Sequence, residues 1–131
     1  MTETVLPVVD DIDTGGFFAA AADDRLVVRH CAQCGATLHM PRAYCNHCGS
    51  FEGEWRTVPP TGTVYSYIVV THQVNPAFPV PHTILLVELD DEPGVRLIGR
   101  LDGRPDVRIG QPVVAEFEQH DGVALPNWRL A

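Results

Sequence analysis

Two Cys-x-x-Cys pairs, each followed by glycine, constrain this chain more than any other feature. They are Cys31-Ala-Gln-Cys34-Gly35 and Cys45-Asn-His-Cys48-Gly49, with ten residues between Cys34 and Cys45. Two residues between cysteines let both thiolates reach one ion from a single tight turn. The glycine supplies the positive φ that follows such a turn. Two facing turns give a closed tetrahedral sulfur shell, with metal–sulfur bonds of about 2.3 Å. Soft thiolates in that geometry suit zinc, with iron as the chemical alternative. A closed shell leaves no position for a reacting water, so one structural ion is expected on Cys31, Cys34, Cys45 and Cys48. His30, His39 and His47 lie nearby, but four cysteines already complete the shell. They are read as surface or supporting residues.

The ion is needed because the rest is small. In 131 residues with 45% apolar content, a core divided between a ribbon and a second module would be thin in each. The formal charge is −8, which repels phosphate backbones and anionic lipid heads. Neither nucleic acid nor membrane is therefore an expected partner. All nine basic residues are arginine, so Schiff-base and lysine-nucleophile chemistry are excluded. There is no apolar run of transmembrane length and no signal-peptide pattern at the start. The expected compartment is the cytoplasm, where thiols stay reduced and closely spaced cysteines favour metal over disulfides.

Along the chain, residues 1–24 read as an acidic arm followed by a short helix from about Gly15 to Asp24. Asp13 or Thr14 is its candidate cap, and Phe17 and Phe18 are its apolar anchors. Residues 25–58 read as the ribbon, with Arg25–His30 leading into the first cysteine pair and Phe51–Val58 leading out of the second. Trp55 is its apolar plug. After Pro59-Pro60 the texture becomes β-rich. Strands are expected over Thr63–His72, His82–Asp90, Val95–Leu101, Val113–Gln119 and Val123–Leu130. Pro126 confines the last to an edge or a bulge, and Asp121-Gly122 signals a hairpin turn. The fold class is mainly β: a short N-terminal helix, a zinc ribbon, and a five-stranded OB-type barrel over residues 59–131.

No catalytic set emerges. His72, His82 and His120 form no recognisable dyad with Ser, Cys or Asp, and Ser66 lacks a nucleophile-elbow context. Asp90, Asp91 and Glu92 read as a solvated turn rather than a second metal site. Tyr65 and Tyr67 could stack on bases, but without a basic groove their default reading is core or interface packing.

The segments Phe17-Phe18, Arg25–Gly35 and Pro41–Ser50 together resemble the N-terminal half of the DUF35 family. So do Gly62–Tyr67, Leu86–Leu89, Arg108–Val113 and Leu125-Pro126 with Trp128 in the second half. The resemblance covers about residues 14–130. It implies a helical segment, a rubredoxin-like zinc ribbon and a C-terminal OB fold. Members of that family are small, acyl-CoA-associated partners of thiolase-superfamily proteins. One such pairing, with a lipid-transfer-protein-like thiolase fold, makes a retro-aldolase in actinobacterial sterol side-chain degradation. A family domain is also found there fused to a hydratase-like domain. The sequence departs from the family pattern at Asn46-His47 and at Met40-Pro41-Arg42, changes that affect turn stiffness rather than ligation.

The resulting expectation is a non-catalytic accessory subunit, either free-standing or excised from a longer chain, in a hetero-oligomer with a thiolase-fold partner. Arg25, Arg29 and Arg42 are candidate CoA-phosphate contacts, and acyl-CoA is a candidate ligand at the interface. Phe17, Phe18, Phe78 and Trp128 are candidate partner anchors. Two rivals remain open: a nucleic-acid-binding or general scaffold module, and a free-standing thioesterase or hydratase.

Overall fold

The computed structural model describes residues 5–131; the first four residues of the expected arm lie outside the described residues. One helix and seven strands follow in order: α1 (Gly15–Ala21), β1 (Leu26–Cys31), β2 (Gly53–Val58), β3 (Thr61–Val70), β4 (His82–Leu89), β5 (Arg96–Asp102), β6 (Pro112–His120) and β7 (Val123–Leu130). None of the described helices is long and apolar enough to cross a membrane.

The helix is shorter than expected, ending at Ala21. Thr14 occupies the capping position but its hydroxyl does not cap. It donates instead to Asp11 Oδ1 at 2.8 Å, and the Thr14 N–H donates to the same oxygen. Asp11 is thereby held below the ordinary carboxylate pKa, first by the backbone N–H. So short a helix persists through packing. Gly16 lies directly against the Trp55 indole, where a Cβ would clash.

β1 and β2 form an antiparallel ribbon running from Leu26↔Val58 to Cys31↔Gly53. The other five strands form an antiparallel sheet in the order β5-β4-β3-β6-β7, and β7 comes back against β5 to close an OB barrel. β4 shows the alternation that closure requires. Thr83, Leu85, Val87 and Leu89 point inward, and Ile84 and Leu86 outward. At the hairpin between β6 and β7, Asp121 and Gly122 have φ of +49° and +83°, the paired positive angles of a two-residue primed turn. Pro126 lies on β7, the last strand of the hydrogen-bonded order, which has a backbone ladder on one side only.

No backbone ladder joins β5 to β7. Asn127 replaces it: its Oδ1 accepts from the Arg100 N–H and its Nδ2 donates to the Arg100 carbonyl, both at 2.8 Å. Gly99 makes room for this approach. A Cβ there would sit 2.6 Å from Asn127 Oδ1 and 2.7 Å from Trp128 Cδ1.

The main core does not respect the ribbon–barrel division. Leu26, Val28 and Val58 from the ribbon are buried with Val64, Leu85, Val87, Leu89, Val113 and Trp128 of the barrel. The metal end keeps a separate core of only Cys31, Leu38 and Cys45, with Ala36 against it.

Candidate metal centre and the surfaces around it

Each cysteine pair sits in a hydrogen-bonded turn, and the two turns have the same design. In the first, the Gly35 N–H donates to Cys31 O at 2.9 Å and the Cys34 N–H to Cys31 Sγ at 3.4 Å. In the second, the Gly49 N–H donates to Cys45 O at 2.8 Å and the His47 N–H to Cys45 Sγ at 3.3 Å. Gly35 and Gly49 both adopt φ of +78°, which a side chain would resist. The turns face each other, so the four Sγ atoms lie within 4.8 Å of one another. Cys31–Cys48 and Cys34–Cys45 are each 3.6 Å apart.

That spacing fits a metal. A tetrahedral sulfur shell with bonds of about 2.3 Å has edges of about 3.8 Å, while a disulfide needs about 2.05 Å. The thiol electrostatics agree. The Cys34 N–H draws the Cys31 thiol down to about 6. Cys48 is pushed up to about 12: the Ser50 N–H pulls it down, but burial and the other three sulfurs outweigh that pull. A first thiolate thus opposes the last, and only a cation among them lets all four ionise. The four cysteines can hold one zinc ion in a closed shell, which organises structure and offers no reactive position.

The ribbon is tied to the barrel by polar contacts that the sequence did not disclose. His30 is 3% exposed, not a surface residue. Its ring nitrogens meet Val28 O at 3.2 Å and Glu92 Oε1 at 2.6 Å. Thr37 donates to Glu92 Oε2 at 3.4 Å, and His39 Nε2 lies 3.0 Å from Arg96 O. The Asp90–Glu92 turn is therefore not simply solvated: Glu92 anchors the ribbon, and Asp90 accepts from the Thr63 hydroxyl at 2.8 Å. The Cys-flanking pattern gave no hint of Glu92, because its partners lie more than fifty residues away.

The three candidate phosphate-binding arginines are placed separately. Arg25, at the far end of β1, reaches Thr57 Oγ1 at 3.2 Å and Asp23 at 3.9 Å. Arg29 lies over the Trp55 ring, 5.3 Å from its centroid. Arg42 turns back to Met40 O at 3.4 Å. Only Arg29 of the three lines a cleft of about 470 Å³ between helix, ribbon and barrel, with Phe17, Phe18, Met40, Trp55 and Trp128. Of the candidate anchors, Trp128 belongs to the barrel core and is 3% exposed, although it lines that cleft. Phe17 packs against that core and meets Phe18 edge-on at 5.3 Å. Phe78 lies in the β3–β4 loop beneath Arg100, 5.5 Å from the guanidinium carbon. It lines a larger cleft of about 960 Å³ with His72, His82 and His120. Tyr65 and Tyr67 are on the surface rather than in the core.

Fold and site define the class: a zinc-ribbon protein whose ribbon is fused to an OB barrel. Two family models match, "ChsH2, rubredoxin-like zinc ribbon domain" over residues 18–53 and "ChsH2, C-terminal OB-fold domain" over residues 55–118. A solved structure described as "Ltp2-ChsH2(DUF35) aldolase" superposes with a TM-score of 0.84 at 38% identity, covering 95% of this chain and 98% of that one. The chain belongs to the DUF35 family, in its ChsH2 group.

Among curated relatives, a Thermomonospora curvata protein named "Probable enoyl-CoA hydratase alpha subunit" is 44% identical over 91% of this chain and 38% of its own length. The "3-oxo-4,17-pregnadiene-20-carboxyl-CoA hydratase alpha subunit" of Mycobacterium tuberculosis is 39% identical over 53% of this chain and 21% of its own length. This chain thus spans about two fifths and one fifth of those relatives. A DUF35 protein of unknown function from Sulfolobus solfataricus shares the fold, with a TM-score of 0.57 at 19% identity over 77% of this chain and 75% of that one.

Proposed function

We propose that this chain is a non-catalytic, acyl-CoA-associated subunit that binds and stabilises a thiolase-superfamily partner of the lipid-transfer type. The complex would be a steroid side-chain retro-aldolase acting on CoA thioesters in the cytoplasm. The observation carrying this reading is the match, over 95% of this chain and 98% of that one, to a chain of the solved structure described as an Ltp2-ChsH2(DUF35) aldolase. The chemistry of the described residues supports the non-catalytic part. Every histidine ring held by a hydrogen bond meets a carbonyl or carboxylate, not a serine or cysteine. The four thiols converge within reach of one ion. On this reading the partner supplies the reacting groups, and the metal ribbon keeps the docking surface rigid.

Co-purification from the native host, with mass spectrometry of the bound protein, tests the reading. A thiolase-superfamily protein recovered in stoichiometric amount is the expected result. Repeated recovery without one, or turnover of an acyl-CoA by the isolated chain, would sink it.

A further inference from the structure

β3 is ten residues long, but only its first part has neighbours on both sides. Thr61–Thr63 pair with Val114, Val113 and Pro112 of β6, and Val64 exchanges backbone hydrogen bonds with Gly110 and Gln111. A bulge between Val64 and Ser66 then turns the strand away. From Ser66 to Val70 it pairs with β4 alone. Among the described residues, no backbone group bonds its other edge.

Apart from the bulge at its start, this open edge lacks the features that keep exposed edges apart. Natural edges carry charges, prolines or bulges along the exposed stretch. Here the stretch is Ser-Tyr-Ile-Val-Val, and no Asp, Glu, Lys or Arg occurs anywhere between Arg56 and Glu88. The stretch itself carries no charge; the cations beside it come from β5, with Arg96 over the Tyr65 ring, 3.9 Å from its centroid, and Arg100 over Phe78 at 5.5 Å. Within the stretch Tyr67 and Ile68 are 39% and 58% exposed, and Val69 and Val70 are half-buried. Val74 and Phe78 of the following loop are exposed as well.

We propose that Ser66–Val70 receives an extended strand of the partner subunit, which adds to the barrel sheet beside β3. The chemistry selects this occupant. An edge of unpaired N–H and C=O groups is satisfied by another backbone in extended form. Five residues span about 17 Å, an ordinary strand length. This inference rests on the accessory-subunit reading and adds to it the place and mode of contact.

Amide hydrogen exchange on the metal-loaded chain, alone and in complex with an Ltp2-type subunit, tests it. Exchange at residues 66–70 is expected to be fast in the free chain and strongly slowed in the complex. Ile68→Lys should weaken the complex by about tenfold or more, as a charge buried at a contact does. Ile109→Lys makes the same change at a site 70% exposed on another loop and should leave affinity within about twofold. Melting temperature and metal content should match wild type in both variants. A complex that forms with residues 66–70 still exchanging fast overturns the edge proposal while leaving the accessory role intact. Protection already present in the free chain, whether constant or rising with concentration, shows the edge occupied by this chain or a second copy and also overturns it. Failure of the wild type to bind any thiolase-fold subunit overturns both.

Discussion

At the residue scale, two sites carry consequences out of proportion to their size. Asn127 satisfies both backbone groups of Arg100 where β7 meets β5 without a ladder. Asn127→Ala leaves those groups unpaired in a half-buried seam. The expected loss is about 1–3 kcal/mol of unfolding free energy, read by urea denaturation at constant metal occupancy. Among the cysteines, Cys48→Ser replaces one ligand of a four-sulfur shell. Bound metal should fall from one equivalent to near zero, measured by elemental analysis. The ribbon should then lose exchange protection at Cys31 and Leu38, because a core of three residues cannot stand without the ion.

At the scale of elements, the ribbon and the β4–β5 turn act as one unit through Glu92. Glu92→Ala removes the carboxylate facing the buried His30 ring and the Thr37 hydroxyl. The protein should keep its zinc yet lose about 1–3 kcal/mol, with faster amide exchange at Val95 and Leu97. Unchanged exchange there would show that packing of Leu26 and Val28 alone fixes the ribbon. The ribbon also has a pH dependence of definite sign. Metal binding must displace the proton from Cys48, whose thiol is pushed up to about 12 in the metal-free set. Binding therefore releases protons and weakens as pH falls. Cys31, drawn down to about 6 by the Cys34 N–H, is the last of the set to take its proton back. A competition titration with a chromophoric chelator should show affinity falling steadily from pH 8 to pH 5. Affinity independent of pH would contradict a thiolate shell.

For the whole molecule, the formal charge of −8 argues against nucleic acid as a partner. Single-stranded RNA should produce no salt-sensitive shift at physiological ionic strength, measured by fluorescence anisotropy. Charge is distributed unevenly over the surface. Acids and arginines pair along β2, β5 and β6–β7, whereas β3 and its following loop carry none. The proposed accessory role would use this asymmetry: one region that stays solvated and another that tolerates being covered.

The sequence alone determined the metal shell, because its geometry is local: two residues between thiolates and a glycine after each pair suffice to build both turns. It also placed all five barrel strands to within a few residues, since alternation and turn chemistry act over short spans. It could not show that Leu26, Val28 and Val58 of the ribbon share the barrel core. Nor could it show that Glu92 anchors His30, that Asn127 stands in for a missing ladder, or that Trp128 is buried and Tyr67 exposed. These depend on which surfaces meet after the sheet has curled, and burial is decided by that closure rather than by residue type. The free edge of β3 belongs to the same group. A strand's neighbours are fixed by register across the sheet, and register is a property of the assembled barrel.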